Sequence, residues 1–118
     1  MIRLRLSIAL VAVLAAAVFA LPFAAPGAPV SAQEPVTVRM IDNVFSPASL
    51  TVSAGTTVIW VNDDFASGEY HDVISEDGAV FTDPFAPGDY TSYTFSTPGV
   101  YGYYCDLHLG MFGTITVR

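Results

Sequence analysis

The stretch YGYYCDLHLGMFG, residues 101–113, gathers three side chains that bind soft metal ions. It holds the only cysteine of the chain, Cys105, followed at steps of three by His108 and Met111. A tight loop can direct all three toward one point, and this set of thiolate, imidazole and thioether favours a transition metal over a hard ion. Each residue alone has an ordinary explanation, namely an inert buried thiol, a surface histidine or a core methionine. Their combination predicts a metal site.

A mononuclear site needs a further donor, and the chain offers few. The only other histidine is His71, in the run EYHDVIS. Two imidazoles, one thiolate and one thioether form the donor set of a trigonal His₂Cys site with a weak axial methionine, which copper selects. Zinc is the main rival metal because it also takes cysteine and histidine, although structural zinc sites rarely use methionine. Met40 lies on the apolar side of a predicted strand, and we expect it in the core.

The N-terminal segment has the composition of an export signal. Two arginines precede the apolar run LSIALVAVLAAAVFALPFAA, and a Pro/Gly/Ala stretch then ends in the small residues of VSA before Gln33. This order is typical of a secretory signal peptide, so we expect residues 1–32 to be cleaved after Ala32. The alternative is an uncleaved membrane anchor, since about twenty apolar residues can cross a bilayer. Either way the protein would be exported.

The remaining residues, 33–118, would form one small domain with a single core. Of the four basic residues only Arg39 and Arg118 lie in this part, against all eleven acidic residues, which gives it a formal charge of −9. Such a surface repels nucleic acid and anionic lipid, so we expect no nucleic-acid partner and membrane attachment only through a retained leader. A cationic partner protein fits this charge. An acidic surface that only maintains solubility is an equally good explanation.

Short β-branched and aromatic runs follow the leader, separated by Gly, Pro, Asn and Asp. They recur about every eight to twelve residues, which predicts an all-β sandwich or barrel of about seven or eight strands without a convincing helix. The predicted strands are residues 36–41, 50–53, 56–62, 71–75, 90–95, 100–105 and 114–118. The two strands nearest Cys105 would bring the donor-bearing loop to one end of the domain.

The run PGVYGYYCDLHLGMFGTITV, residues 98–117, resembles the C-terminal signature of the cupredoxins, particularly the plastocyanin and amicyanin group. In that signature a Pro-Gly turn leads through G-x-Y-x-[FY]-Y-C to a ligand loop and then to M-x-G-x-[IV]-x-V. Upstream, FSPASLTVSAGTTVIWVN is similar to the family's F-x-P-x-x-[IL]-x-V-x-x-G-x-x-V-x-[WF]-x-N, and HDV is similar to its first ligand motif. The resemblance implies a Greek-key β-sandwich with one type 1 (blue) copper ion at one end, bound by His71, Cys105, His108 and, axially, Met111.

Three details differ between this chain and many members of the family. The C-x2-H-x2-M spacing is similar to the short loop of amicyanin rather than to the longer C-x2-H-x4-M of plastocyanin. Leu107 stands where many relatives have proline. Family members commonly place Asn after the first histidine and Ser or Thr after the cysteine, and these side chains link the two ligand segments. Here the positions are Asp72 and Asp106, and because two facing carboxylates repel unless one is protonated or turned to solvent, we do not carry that link between side chains over to this chain.

The resemblance also implies a function, that of a small exported one-electron carrier, periplasmic or extracellular, which we expect to be a monomer. His71 would be the more enclosed imidazole and His108 the one nearest solvent. An apolar patch of Leu107, Leu109 and Phe112 would surround His108 and dock a redox partner. Carboxylates near the first ligand would steer a basic, cytochrome-like partner. They are Asp63, Asp64, Glu69 and Asp72.

Two other functions compete with the carrier. The alternative within the same fold is a copper-binding or copper-delivery module, which would pass the metal on instead of cycling it. The other is an adhesion or structural sandwich whose thiol and histidines are incidental. An enzyme is not expected, because a complete four-donor set leaves no open coordination position for substrate and no serine or carboxylate constellation stands out.

Overall fold

The computed structural model describes residues 16–17 and 33–118. Within these residues the chain forms eight strands and no helix, as the sequence pattern predicted. The strands are β1 Val36–Ile41, β2 Val44–Ser46, β3 Ser49–Val52, β4 Thr56–Asn62, β5 Ile74–Ser75, β6 Tyr90–Phe95, β7 Gly99–Tyr104 and β8 Phe112–Val117. Apart from residues 16–17, the predicted signal peptide and its junction after Ala32 lie outside the described residues. In the described part, no helix is long and apolar enough to cross a bilayer.

The eight strands form two four-stranded sheets that enclose the core. One sheet has the order β2-β1-β4-β6 and the other has the order β3-β8-β7-β5. β1 runs parallel to β4, and β3 runs parallel to β8, while the remaining neighbouring strands are antiparallel. The chain therefore crosses repeatedly from one sheet to the other, and the architecture is the predicted Greek-key β-sandwich.

Alternation along the strands fills the space between the sheets. In β4, Val58, Trp60 and Asn62 are buried, and the residues between them are half-buried. The Trp60 ring packs edge-on against Tyr103 of β7, with ring centroids 5.4 Å apart, and so joins the two sheets. Edge-to-face pairs of this kind add about 0.5–1.5 kcal/mol beyond the burial of their area. Met40 is fully buried, so its predicted place in the core is confirmed.

Two elements differ from the sequence prediction by more than a residue or two. β2 was not predicted; it forms a hairpin with β1 across Asp42 and Asn43, which both have positive φ, 53° and 58°. The predicted strand 71–75 is shorter, because only Ile74–Ser75 pairs with β7. The residues before it bond to a segment of loop instead: the amide of Val73 donates to the hydroxyl of Thr82.

Candidate metal centre

Cys105 follows the last residue of β7 and opens a short loop that leads to β8. Its amide donates to the carbonyl of Met111 at 3.1 Å, and the amide of Met111 donates to the carbonyl of His108 at 3.3 Å. Gly110 completes the turn with φ +79°, a conformation that costs glycine little. The backbone therefore closes loop 105–111 on itself, and the three predicted donors of the loop are neighbours.

His71 reaches the same end of the sandwich from the other side. It exchanges two backbone hydrogen bonds with Phe85, of 3.2 and 2.8 Å. The side-chain amide of Asn62, at the end of β4, donates to the carbonyls of Phe85 and Glu69 at 2.9 Å each. Because Asn62 is fully buried and belongs to the sheet, it fixes the backbone on both sides of His71.

The two imidazoles converge on the sulfur of Cys105. The Nδ1 atom of His71 lies 3.9 Å from Sγ, and the Nδ1 atom of His108 lies 3.5 Å from it. The donor atoms of the three residues all lie within 4.8 Å of one another. His71, Cys105 and Met111 are buried, whereas the side chain of His108 is 16 % exposed. The structure thus brings together the donor atoms of His71, Cys105 and His108, with His71 enclosed and His108 nearest solvent.

A buried carboxylate holds the ring of His71. Oδ2 of Asp64 lies 2.6 Å from Nε2 of His71, and Oδ1 accepts a hydrogen bond from the amide of Asp42 at 2.9 Å. Burial alone would raise the pKa of Asp64, but the hydrogen bonds from Asp42 and His71 outweigh it and lower the pKa. The ionised carboxylate of Asp64 therefore stabilises the fold at pH values above its unfolded-state pKa. This stabilisation is lost as the pH falls through the lowered pKa of the folded state. Its position at Nε2 leaves Nδ1 directed at the sulfur.

The sulfur of Cys105 is shielded from water, since the residue is buried. Burial raises the pKa of the Cys105 thiol, although backbone hydrogen bonds from Asp72 and Leu107 act in the opposite direction. At neutral pH the thiol therefore keeps its proton in the absence of a cation. A metal ion that binds here must displace that proton, since the thiolate is the ligand form.

A second buried carboxylate joins the two ligand segments. Oδ1 of Asp72, which is 4 % exposed, accepts a hydrogen bond from the backbone amide of Asp106 at 2.7 Å. The link common in the family joins two side chains, which facing carboxylates do not reproduce, whereas the link here joins a side chain to a backbone amide. The link uses the backbone of Asp106, and the exposed residue can turn its own carboxylate to solvent.

The carboxylates assigned to partner steering have other contacts. Asp64 and Asp72 are buried, and Asp63 forms an ion pair with Arg39. Only Glu69 remains about half exposed, with a side-chain exposure of 49 %, and it contacts His108. Steering by the two buried carboxylates is therefore inconsistent with the structure. The sequence offered no direct indication of their burial, because carboxylates seldom lie inside a protein.

The apolar residues around His108 are exposed, as the docking-patch hypothesis requires. Leu107 is 49 % exposed, Leu109 is 107 % exposed and Phe112 is 65 % exposed. With this exposure, Phe112 does not pack against the end of the sandwich. We call these three residues the apolar collar.

Comparisons with known proteins identify the family. The sequence matches the family model described as "Cupredoxin-like domain" over residues 10–117. The chain belongs to the cupredoxins. It is 39 % identical over 89 residues to a plastocyanin of Scenedesmus fuscus, an alignment that covers 64 % of this chain and 87 % of that protein.

Solved structures agree with this assignment. A purple cupredoxin from Nitrosopumilus maritimus superposes on this cupredoxin with a TM-score of 0.61 and 31 % identity, covering 70 % of this chain and 99 % of the other. The reduced state of an amicyanin mutant superposes with a TM-score of 0.64 and 25 % identity, covering 71 % of this chain and 82 % of the other. The resemblance stated from the sequence motifs is confirmed.

The donor cluster of this cupredoxin fits one type 1 copper ion. With bond lengths of about 2.1 Å to nitrogen and 2.3 Å to sulfur, as at zinc sites, and an angle of about 110–120° at the ion, nitrogen and sulfur donors are separated by roughly 3.6–3.8 Å. The observed Nδ1 to Sγ separations of 3.5 and 3.9 Å are close to that range. Soft sulfur with two imidazoles is also the donor chemistry that copper prefers. Family membership and the cluster together indicate one type 1 copper as the cofactor.

Replacing Asp64 by Asn should destabilise the metal-free protein. The change leaves the shape but removes the charge that pairs with the His71 ring and the Asp42 amide, and hydrogen bonds to a buried charge are worth about 1.5–3 kcal/mol. Urea denaturation at neutral pH measures this loss. The neighbouring Asp63→Asn is the matched control, because its ion pair is exposed and such pairs contribute about 0–1 kcal/mol. Equal losses in the two variants would contradict the structural role of Asp64.

The link between the ligand segments can be tested through the amide of Asp106. In Asp72→Ala this amide loses its acceptor, so we expect its hydrogen exchange, followed by NMR, to accelerate by about tenfold, which corresponds to about 1.4 kcal/mol. Asp106→Ala should leave the exchange of the same amide protected, because the link does not use the Asp106 side chain. Protection that survives in Asp72→Ala would show that another group holds the loop.

Proposed function

We propose that this protein is a blue copper protein that carries one electron at a time between redox partner proteins. The observation that supports this most is the approach of His71 Nδ1 and His108 Nδ1 to the sulfur of Cys105, at 3.9 and 3.5 Å. In this proposal the three side chains would hold the copper ion, and the thioether of Met111 would be its fourth, weaker donor. The similarity to a plastocyanin and to an amicyanin, whose structure was solved in a reduced state, supports a redox function.

A copper ion held by these residues would supply one-electron exchange between its Cu(II) and Cu(I) states. The chain's own residues keep the donors in place. Asp64 orients the ring of His71, and Asp72 fastens the loop of Cys105 to the opposite segment. Donors held by hydrogen bonds and packing rearrange little when the oxidation state changes, and this favours fast transfer.

The four-donor set also argues against catalysis at the metal. Catalytic metal sites keep a position open for substrate or water, whereas two imidazoles, a thiolate and a thioether complete this site. Cys105 and Met111 are buried, so substrate has no approach from their side. We therefore infer a carrier and not an enzyme.

The surface near His108 suggests how a partner binds. The apolar collar exposes Leu107, Leu109 and Phe112 next to the least buried imidazole. An exposed apolar patch of this kind suits brief contact with another protein. The surrounding domain carries two arginines against eleven carboxylates, so a basic partner surface such as that of a cytochrome fits its charge.

The proposed location follows from the leader. Residues 1–32 have the order of charge, apolar run and small residues of a secretory signal peptide. We propose that the domain of residues 33–118 works as an exported monomer, periplasmic or extracellular, and that membrane attachment occurs only where the leader is retained.

Substitution of the thiol tests the ligand assignment. We expect Cys105→Ala to abolish the intense visible band of the Cu(II) protein, and wild-type protein to show the narrow EPR hyperfine splitting of a type 1 centre. Met40→Leu is the matched control because it removes a buried sulfur that is not among the proposed ligands, and it should leave the band intact. A Cys105→Ala protein that stays blue would overturn the assignment.

Redox cycling separates the carrier from a copper-delivery module. We expect the copper-loaded protein to pass through repeated reduction and reoxidation and to retain its copper, measured by metal analysis after removal of small molecules. In the presence of a Cu(I) chelator of moderate affinity the reduced protein should still keep the metal. Rapid and complete transfer of Cu(I) to the chelator would instead support delivery.

A further inference from the structure

The two imidazoles of the site share one arrangement. Each directs Nδ1 at the sulfur of Cys105 and Nε2 at a carboxylate. For His71 the carboxylate is Asp64, with Oδ2 at 2.6 Å from Nε2; for His108 it is Glu69, with Oε2 at 3.3 Å from Nε2. Both carboxylates come from the loop between β4 and His71. The family resemblance does not account for a carboxylate on the exposed imidazole.

We propose that Glu69 is a positioning residue for His108: its carboxylate holds the exposed imidazole with Nδ1 toward the sulfur and favours the oxidised state of the copper centre. This inference rests on the proposed function, because it concerns a ligand of the same site. It adds a residue that neither the donor set nor the apolar collar contains.

The backbone of Glu69 is fixed, which makes the contact with His108 more than an encounter of two mobile side chains. Its carbonyl accepts the hydrogen bond from the buried amide of Asn62 at 2.9 Å. Its amide donates to the hydroxyl of Ser67 at 3.4 Å. Because hydrogen bonds hold the backbone of Glu69 at its amide and its carbonyl, contact with His108 costs only the rotational entropy of the Glu69 side chain.

The ring of His108 lies against the ring of His71, with centroids 4.8 Å apart, but this contact does not select which ring nitrogen faces the sulfur. The neighbours of His108 in the loop, Leu107 and Leu109, are exposed and do not select it either. Among the described residues, the His108 ring has hydrogen-bonding contacts with the sulfur of Cys105 and with the carboxylate of Glu69. A hydrogen bond from Nε2–H to the carboxylate keeps the proton on Nε2 and leaves the lone pair on Nδ1. Carboxylate partners have the same effect on metal-binding histidines.

The charge of Glu69 acts on the oxidation state. A negative charge near the site stabilises Cu(II) more than Cu(I), because the attraction grows with the charge of the ion. The side chain is 49 % exposed, so water and salt screen this effect. The effect of Glu69 on the balance between Cu(II) and Cu(I) should therefore be smaller than that of the buried Asp64. It should be larger than the effect of a carboxylate at the far end of the sandwich.

Two substitutions separate position from charge. Glu69→Gln keeps the length and an oxygen acceptor but removes the charge, whereas Glu69→Ala removes both. Glu34→Gln is the matched control: it removes the same charge from an exposed residue beside Gln33, which bonds to Ala54 at the opposite end of β4.

The first measurement is the reduction potential of the copper-loaded protein, determined by spectroelectrochemistry. Glu69→Gln should raise the potential so that the equilibrium constant for reduction by a fixed donor increases at least threefold, about 28 mV for one electron. Glu34→Gln should give a shift several times smaller. Equal shifts in the two variants would overturn the charge effect, and with it the proposal.

The second measurement needs no copper. Nitrogen-15 NMR of the metal-free protein reports the tautomer and order of the His108 ring. We expect one ordered ring with the proton on Nε2 in the wild type and in Glu69→Gln, and loss of this order in Glu69→Ala. An unchanged ring in Glu69→Ala would overturn the positioning role.

The outcomes distinguish this inference from the proposed function. If wild-type protein gave no blue copper spectrum, the proposed function would fail and this inference with it. Blue wild-type protein with unaffected Glu69 variants would refute the inference alone.

Discussion

The side-chain amide of Asn62 is the contact on which the metal centre depends. It is fully buried at the end of β4, its nitrogen donates to the carbonyls of Glu69 and Phe85, and its oxygen accepts the amide of Asp64 at 3.0 Å. His71 lies between the segments that Asn62 joins. If one of these segments moved away from Asn62, a buried polar group would lose its partner, and the fold would lose about 1–3 kcal/mol of stability for each such group. One amide anchored in a sheet therefore holds the loop that supplies the enclosed imidazole.

Negative charge near the site has two separate uses. Asp64 and Asp72 are buried, and each has found a donor, the imidazole of His71 for one and the amide of Asp106 for the other. Burial of a carboxylate is tolerated when its oxygens are hydrogen-bonded in this way. The carboxylates left on the surface give the domain its acidic character. The interior charges thus fix geometry, and the exterior ones are available to a partner.

The parts of this structure that the sequence could predict are those set by local pattern or by scarcity. The alternation of β-branched and aromatic residues placed β4 and β6 within their observed bounds, and a chain with one cysteine and two histidines left few choices for a metal site. β2 was missed although Asp42 and Asn43 form a two-residue turn that favours a hairpin. His108, the second donor of the loop 105–111, was expected nearest solvent because of its place in the loop, and its side chain is 16 % exposed.

The rest required contacts between residues far apart in the chain. Asp64 accepts an amide 22 positions away, and Asp72 accepts one 34 positions away. Local sequence marks both residues as surface carboxylates, since charged side chains are seldom buried without a partner. Each accepts a hydrogen bond from a backbone amide, which carries no trace in the sequence, and Asp64 also contacts the side chain of His71. The inner support of the site is therefore visible only once the chain has folded.

The closed loop between β7 and β8 has a consequence for how such a site can diversify. The hydrogen bond from Cys105 to Met111 and the adjoining strand pairs seal the loop at its base. Residues can be gained or lost beyond this seal without disturbing the register of the sheet, because surface loops tolerate changes of length. Natural variation in the span between the histidine and the methionine could thus alter the properties of the metal while the sandwich stays as it is.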